Sequence, residues 1–179
     1  MVHGRVQSEK AGIVGVIDVG VVVIAHFENP ARLHAFDFLK DILLWKKKCL
    51  IPTSAIMGAY HVMTEYLGVD MGSACKALEK TLETRSPAFY EDLSVDMAID
   101  ALENALTYKI ESWDGYIVCL AKGQKASIIY SIDGKLARKV KEVKVINPIP
   151  VEAFLEYNRW LSERLKKYKN KTPSRIRDS

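Results

Sequence analysis

One apolar stretch near the start of the chain restricts the possible folds more than any other feature. Residues 11–25 read AGIVGVIDVGVVVIA, and Asp18 is the charged side chain at their centre. The stretch is shorter than the ~20 residues that a membrane helix needs. Residues 13–17 are rich in β-branched side chains and almost continuously apolar, which is typical of a strand buried on both faces of a parallel sheet. The chain is therefore expected to bury this strand in a sheet and to place Asp18 at its carboxyl end.

Strands and helices alternate along the rest of the chain. Further strands are predicted at 49–51, 89–93, 126–132 and 143–146, and helices at 21–27, 31–45, 55–67, 72–84, 113–121, 135–140 and 151–168, with another after Ser94. This alternation predicts an α/β fold with a mostly parallel sheet. In the helix after Ser94, five apolar residues recur at helical spacing, and we expect them to face inward: Val95, Ile99, Leu102, Leu106 and Ile110.

Composition favours one ordinary globular domain. The chain has 179 residues, of which 49% are hydrophobic, with only 10 glycines and 6 prolines, so disordered and low-complexity classes are excluded. We expect a flexible N-terminus at 1–10, a domain at 11–165 and a basic tail at 166–179. The three cysteines show no Cys-x-x-Cys spacing, which argues against a disulfide framework or a zinc knuckle and favours free thiols in a reducing cytoplasm.

Three aspartates stand where an open α/β sheet binds its ligands. Asp18 and Asp133 come just after two predicted strands, and Asp114 lies in the first turn of a predicted helix. Taken singly, each is more often a helix cap or a turn residue than a functional group. If they converge, their mutual repulsion is relieved by a hard divalent cation, and oxygen ligands suit Mg²⁺ or Mn²⁺.

Three segments in this order resemble the PIN domain, the nuclease fold of VapC-like toxins and of RNA-processing factors. Residues 16–18 (VID) resemble its opening strand and first acidic ligand, 113–121 (WDGYIVCLA) resemble its acidic helix, and 128–133 (IIYSID) resemble its strand ending in Thr/Ser-x-Asp. The resemblance covers roughly residues 14–154. It implies a three-layer α/β/α sandwich with a central, mostly parallel sheet of about five strands.

One position departs from the pattern of that family. The family usually carries a glutamate on the helix after the second strand, where this chain has Gly58 or Ala59. Glu65 lies seven residues after Gly58, roughly 10 Å further along a helix axis. His61 is nearer, but imidazole is a poor ligand for Mg²⁺. Glu111 can contribute a carboxylate if it caps the helix that carries Asp114.

The resemblance implies metal-dependent hydrolysis of RNA, with Asp18, Asp114 and Asp133 as catalytic and metal-binding residues. Ser131 would orient Asp133 or contact a phosphate, or it is simply a strand residue with a satisfied hydroxyl. The missing glutamate leaves an alternative: a catalytically weak module that binds RNA or a protein partner. A third reading is a protein whose apolar helices, near 55–67 and 101–110, serve dimerisation or equally form core. The expected partners are RNA, an antitoxin-like protein or a second copy of this chain, and no interaction with a membrane is expected. Trp113 is expected to pack rather than to stack on bases.

Positive charge is concentrated at the C-terminal end. The net charge of the chain is +4, yet residues 164–179 carry seven basic side chains and one acid, so the remainder is mildly acidic. This segment is expected to be a solvated helix end and tail. A sharper hypothesis assigns it phosphate contacts with RNA, through Lys166, Lys167, Lys169 and Lys171.

Overall fold

The computed structural model describes the backbone of residues 12–171 and the side chains of residues 12–166. Its strands are β1 (Gly15–Ile17), β2 (Cys49–Pro52), β3 (Phe89–Tyr90), β4 (Ile128–Tyr130) and β5 (Lys144–Ile146). Its helices are α1 (Val19–Ala25), α2 (Arg32–Leu43), α3 (Thr53–His61), α4 (Met71–Glu83), α5 (Val95–Tyr108), α6 (Ser112–Gly123), α7 (Gly134–Lys139) and α8 (Val151–Lys171). A π-helical turn, Val62–Tyr66, continues α3.

The strands form one parallel sheet in the order β3-β2-β1-β4-β5, which confirms the predicted α/β class. β1 is central: Val16 pairs with Leu50 of β2 and with Ile129 of β4. Successive side chains of a strand point to opposite faces. Val16 accordingly joins one core cluster and Ile17 joins the other, and both are fully buried.

Helices cover both faces of the sheet. The core on one face contains buried residues of α1, α2, α3, α4 and α8, and the core on the other contains those of α5, α6 and α7. This is the expected three-layer sandwich. Packing of the helices against each face of the sheet removes aliphatic side chains from water. This burial stabilises the fold by about 25 cal/mol for each Å² of apolar surface buried.

The outward face of α5 differs from the sequence prediction. Four of the five apolar residues that were expected to face inward are exposed: Val95 by 76%, Ile99 by 50%, Leu102 by 61% and Leu106 by 81%. The helix packs instead through its small residues, because Ala101 is 5% exposed and its carbonyl oxygen lies against Gly115 of α6. A Cβ at Gly115 would lie 2.1 Å from that oxygen, so only glycine permits this approach.

Several boundaries also differ from the prediction. The helix expected at 55–67 ends its α-helical part at His61, and the strand expected at 89–93 keeps only two residues. α8 runs through Lys171, so residues 166–171 of the predicted tail continue this helix. The predicted flexible segment 1–10 lies outside the described residues. Between residues 12 and 171, no helix has the length and apolarity that crossing a membrane requires.

Candidate functional site

A cleft opens at the carboxyl ends of β1 and β4. The sheet has its switch point here, because β2 and β3 lie on one side of β1 whereas β4 and β5 lie on the other. In open α/β sheets this switch point is the usual place for a ligand. The cleft has a volume of about 490 Å³. Four acidic residues line it: Asp18, Glu111, Asp114 and Asp133. We call it the acidic cleft.

Asp18 is the most buried of these carboxylates, with 7% of its surface exposed. It is the N-cap of α1, and its Oδ1 accepts a hydrogen bond from the backbone N–H of Val19 at 2.6 Å. Its Oδ2 accepts a hydrogen bond from the hydroxyl of Ser131 at 2.6 Å. Burial raises the pKa of Asp18, while the hydrogen bonds from Ser131 and Val19 oppose this rise. The two hydrogen bonds therefore hold the carboxyl group in one orientation, while burial disfavours its ionised form.

Ser131 connects the segments that follow β1 and β4 through two hydrogen bonds. Besides donating to Asp18, its Oγ accepts a hydrogen bond from the backbone N–H of Asp133 at 3.0 Å. Asp133 is in turn the N-cap of α7, and its Oδ1 accepts from the N–H of Lys135 at 2.6 Å. Ser131 is 2% exposed, contacts Asp18 and Asp133 through these hydrogen bonds, and does not belong to the cleft lining.

Asp114 lies opposite, in the first turn of α6. Burial, together with the negative charges of Asp18, Asp133 and Glu111, raises the pKa of Asp114 to about 7. Because all three charges act on Asp114, the four carboxylates lie in one local electrostatic field. The α5–α6 contact at Gly115 fixes the position of the neighbouring Asp114, because both helices approach closely there.

Glu111 occupies the N-cap position of α6. The N–H of Gly115 donates to its backbone carbonyl at 2.9 Å, whereas its side chain makes no capping hydrogen bond. The exposed carboxylate lines the cleft and contributes to the raised pKa values of both Asp18 and Asp114.

The position of the usual family glutamate falls on the wall of the cleft. Gly58 lines the cleft, whereas Ala59 is fully buried. A Cβ at Gly58 would lie 3.2 Å from Cγ2 of Val19, so this wall is formed by backbone and by a valine. His61 also lines the cleft, and Glu65 is exposed but does not belong to the lining.

Two aromatic residues at the mouth of the cleft were not recognised in the sequence. Trp113, which was expected to pack, is 55% exposed and lines the cleft. Tyr66 is 59% exposed, lines the same cleft and meets the ring of His61 edge-on at 5.5 Å. The π-helical turn places Tyr66 at the cleft, and the spacing of apolar residues in the sequence does not predict such a turn.

The four carboxylates line one cleft, but in the described part of the chain they do not form a complete set of metal ligands. Among the described residues, no group of three or more His, Cys, Asp and Glu side chains is arranged to hold a metal ion. Of the predicted basic contacts, Lys166 is exposed on α8. The side chains of Lys167, Lys169 and Lys171 lie outside the described part of the chain.

No family model and no curated protein matches this chain in sequence. Solved structures do match its fold. PAE2754 from Pyrobaculum aerophilum superposes with a TM-score of 0.55 at 15% identity, covering 93% of this chain and 99% of its own. A chain of a toxin–antitoxin complex from Klebsiella pneumoniae gives 0.53 at 16% identity, covering 75% of this chain and 97% of its own.

The toxin VapC20 of Mycobacterium tuberculosis, which cleaves the sarcin–ricin loop, gives a TM-score of 0.53 at 15% identity and covers 73% of this chain and 98% of its own. Identities this low carry information about architecture alone. The parallel sheet, its strand order and these structural neighbours together show that the chain has a PIN-like fold of the VapC type.

Proposed function

We propose that this protein is a ribonuclease that hydrolyses RNA phosphodiester bonds with a divalent cation, Mg²⁺ or Mn²⁺, bound in the acidic cleft. The observation that carries the proposal is the convergence of Asp18, Asp114, Asp133 and Glu111 on one cleft at the switch point of the sheet. The structural similarity to VapC20 supports the choice of RNA as substrate.

The residues of the cleft suit such a cation in charge and donor type. All four acidic side chains offer oxygen, the donor that Mg²⁺ and Mn²⁺ prefer. Burial and like charge raise the pKa of Asp114 to about 7, and a bound cation would reverse this penalty. Mg²⁺ retains several water ligands, so one or two carboxylates are sufficient, in agreement with the lack of a closed cage among the described residues.

The roles of the chain's own groups follow from their contacts. Ser131 and the N–H of Val19 hold both oxygens of Asp18, so this carboxylate enters the reaction already oriented. Asp133 is held by its backbone contact with Ser131. Asp114 must lose its proton before it can act as a ligand. The cation, when bound, would lower the pKa of a coordinated water and stabilise charge on the phosphate.

The alternative is a catalytically weak module that binds RNA or a protein without cutting. Gly58 on the cleft wall favours it, because the resemblance to PIN domains predicts a glutamate there. A protein partner of the antitoxin kind agrees with the similarity to a chain of a toxin–antitoxin complex. We further propose that the protein acts in the cytoplasm, where the free thiols of Cys49, Cys75 and Cys119 would stay reduced.

We also propose a homodimer that forms through α5. Of the two helical regions considered for dimerisation, the one near 55–67 is largely core, since Ile56, Ala59 and Met63 are buried. The apolar stripe of α5 is exposed along a helix about 21 Å long. A self-complementary patch of this kind is suited to a two-fold contact.

Cleavage of RNA with Mn²⁺ tests the ribonuclease proposal. Wild type is expected to cut a labelled RNA in Mn²⁺ and to stop in EDTA, and Asp133→Asn is expected to lose at least about two orders of magnitude in rate, in the range seen when catalytic groups are removed. Asp37→Asn, an exposed aspartate on α2, is the matched control and should keep its activity. Equal cleavage by Asp133→Asn and wild type, or cleavage that persists in EDTA, would reject this site.

A further inference from the structure

A basic segment begins next to the acidic cleft, at the start of α7, and runs through the turn after this helix to the start of β5. Residues 134–144 contain five basic side chains against one acidic side chain: Lys135, Arg138, Lys139, Lys141 and Lys144, with Glu142. If this segment and residues 164–179 are set aside, the remaining chain has 14 basic and 20 acidic side chains. Residues 134–144 therefore carry a net positive charge within an otherwise acidic body, and we call this segment the α7 basic face.

The charges of this face are available to a ligand. All five basic side chains are exposed, and within the described residues none of them forms an ion pair. The only acid of the segment, Glu142, is engaged elsewhere: it accepts a hydrogen bond from the hydroxyl of Tyr108 at 2.7 Å, and that hydroxyl accepts one from Lys122 at 2.7 Å. These contacts lower the pKa of Glu142, so it stays ionised beside its own partners.

The α7 basic face begins at the cleft itself. Asp133 lines the cleft and caps α7, and Lys135 and Arg138 follow it on this helix, outside the cleft lining. A Cβ at Gly134 would lie 3.4 Å from a guanidinium nitrogen of Arg138, so this side chain folds back toward the cleft end of the helix. Lys139 lies one turn further along and donates to the carbonyl of Lys109.

A phosphate chain approaching the cleft needs such a surface. The carboxylates of the cleft repel phosphates, and a bound cation offsets this only locally. In nucleic-acid complexes, contacts of Lys and Arg with phosphates supply most of the sequence-independent affinity. Arg138 can grip a phosphate with two parallel N–H donors, whereas a lysine acts as a point charge.

We propose that the α7 basic face binds the RNA backbone and guides it into the acidic cleft. This inference rests on the ribonuclease proposal, and it adds that binding and hydrolysis are carried by separate, adjacent groups. RNA affinity is then set by Lys135, Arg138 and Lys139, and the carboxylates contribute to it only through their cation.

Binding without cleavage tests this inference. The probe is a fluorescent oligouridylate in EDTA, and its anisotropy is measured over a series of KCl concentrations. The triple variant Lys135→Gln, Arg138→Gln, Lys139→Gln is expected to bind at least about tenfold more weakly at low salt. Its slope of log K against log salt should be shallower by about 2, because each contact with single-stranded RNA contributes about 0.7.

The matched control removes the same charge from the opposite face of the sheet. Lys40→Gln, Lys76→Gln, Lys80→Gln changes three exposed lysines on α2 and α4 and should leave the slope unchanged. The charge-conserving variant Lys135→Arg, Lys139→Arg, which keeps Arg138, should bind like wild type. It separates loss of charge from loss of folding. All variants share residues 164–179, so any contribution of that segment cancels.

Three results would overturn the inference. The first is an unchanged salt slope in the α7 variant, and the second is an equal loss of affinity in the control. The third is equally tight, α7-dependent binding of poly-glutamate, which would identify a surface for acidic proteins. None of these results bears on the ribonuclease proposal, which fails if cleavage in Mn²⁺ does not depend on the cleft carboxylates or if cleavage persists in EDTA.

Discussion

Asp114 is a carboxyl group whose pKa is raised to about 7, close to neutral pH. Burial and three neighbouring carboxylates raise its pKa to about 7 in the folded chain, from 3.8 for an unperturbed side chain. Between these two values the folded protein holds a proton that the unfolded chain has released. The free energy of unfolding must therefore fall as pH rises through this window. Asp18, whose pKa is also raised, acts in the same direction.

Asp114→Asn removes the part of this pH dependence that Asp114 contributes. Without added metal, we expect the free energy of unfolding of wild type to decrease between about pH 5 and about pH 8, and that of Asp114→Asn to decrease less. Urea unfolding at the two pH values measures both slopes. Identical slopes for variant and wild type would show that Asp114 titrates normally.

Gly58 tests whether a carboxylate on this wall of the cleft would strengthen cation binding. Gly58→Glu adds an oxygen ligand to the cleft wall, at the cost of a small shift of Val19, whose Cγ2 would lie 3.2 Å from the new Cβ. We expect the Mn²⁺ concentration for half-maximal cleavage to fall by about tenfold, equivalent to about 1.4 kcal/mol of cation binding. Gly58→Gln has nearly the same shape without the charge and serves as control. A similar effect of both variants would assign the change to packing.

The elements show where sequence patterns predict structure and where they do not. The β-branched run before Asp18 identified β1, because a strand buried on both faces requires continuous apolarity. The sequence also placed Asp18 and Asp133 at strand ends. For α5 the spacing of the apolar residues predicted a helix but not its covered face, since Ala101 and Gly115 decide that contact. Tyr66 was missed because a π-helical turn shifts the phase of the helix.

The exposed stripe of α5 makes a prediction about assembly. Leu102→Glu combined with Leu106→Glu places two charges in the proposed dimer contact, and we expect the dissociation constant of the dimer to rise at least about tenfold. Met57→Glu, which changes an apolar residue of α3 that is 69% exposed, should leave assembly unchanged. Sedimentation equilibrium measures all three proteins. A wild type that stays monomeric, or a double variant that dimerises like wild type, would contradict this contact.

At the scale of the whole molecule, a cluster of acidic side chains lies next to a segment rich in basic side chains. The cleft at the switch point gathers four carboxylates, and the α7 basic face follows directly after Asp133. The overall charge of +4 conceals this division, because a sum over the chain carries no positions. The sequence indicated that positive charge is clustered at the C-terminal end, but the fold was needed to show that α7 starts at the cleft, directly after Asp133.

The dependence of RNA cleavage on Mn²⁺ concentration tests the central claim most directly. The rate for wild type should saturate with Mn²⁺, whereas Asp114→Asn should need at least about tenfold more Mn²⁺ or remain inactive, because it lacks one oxygen ligand of the cleft. Asp37→Asn should follow the wild-type curve. Superimposable curves for Asp114→Asn and wild type would contradict the claim that the acidic cleft holds the cation that cuts RNA.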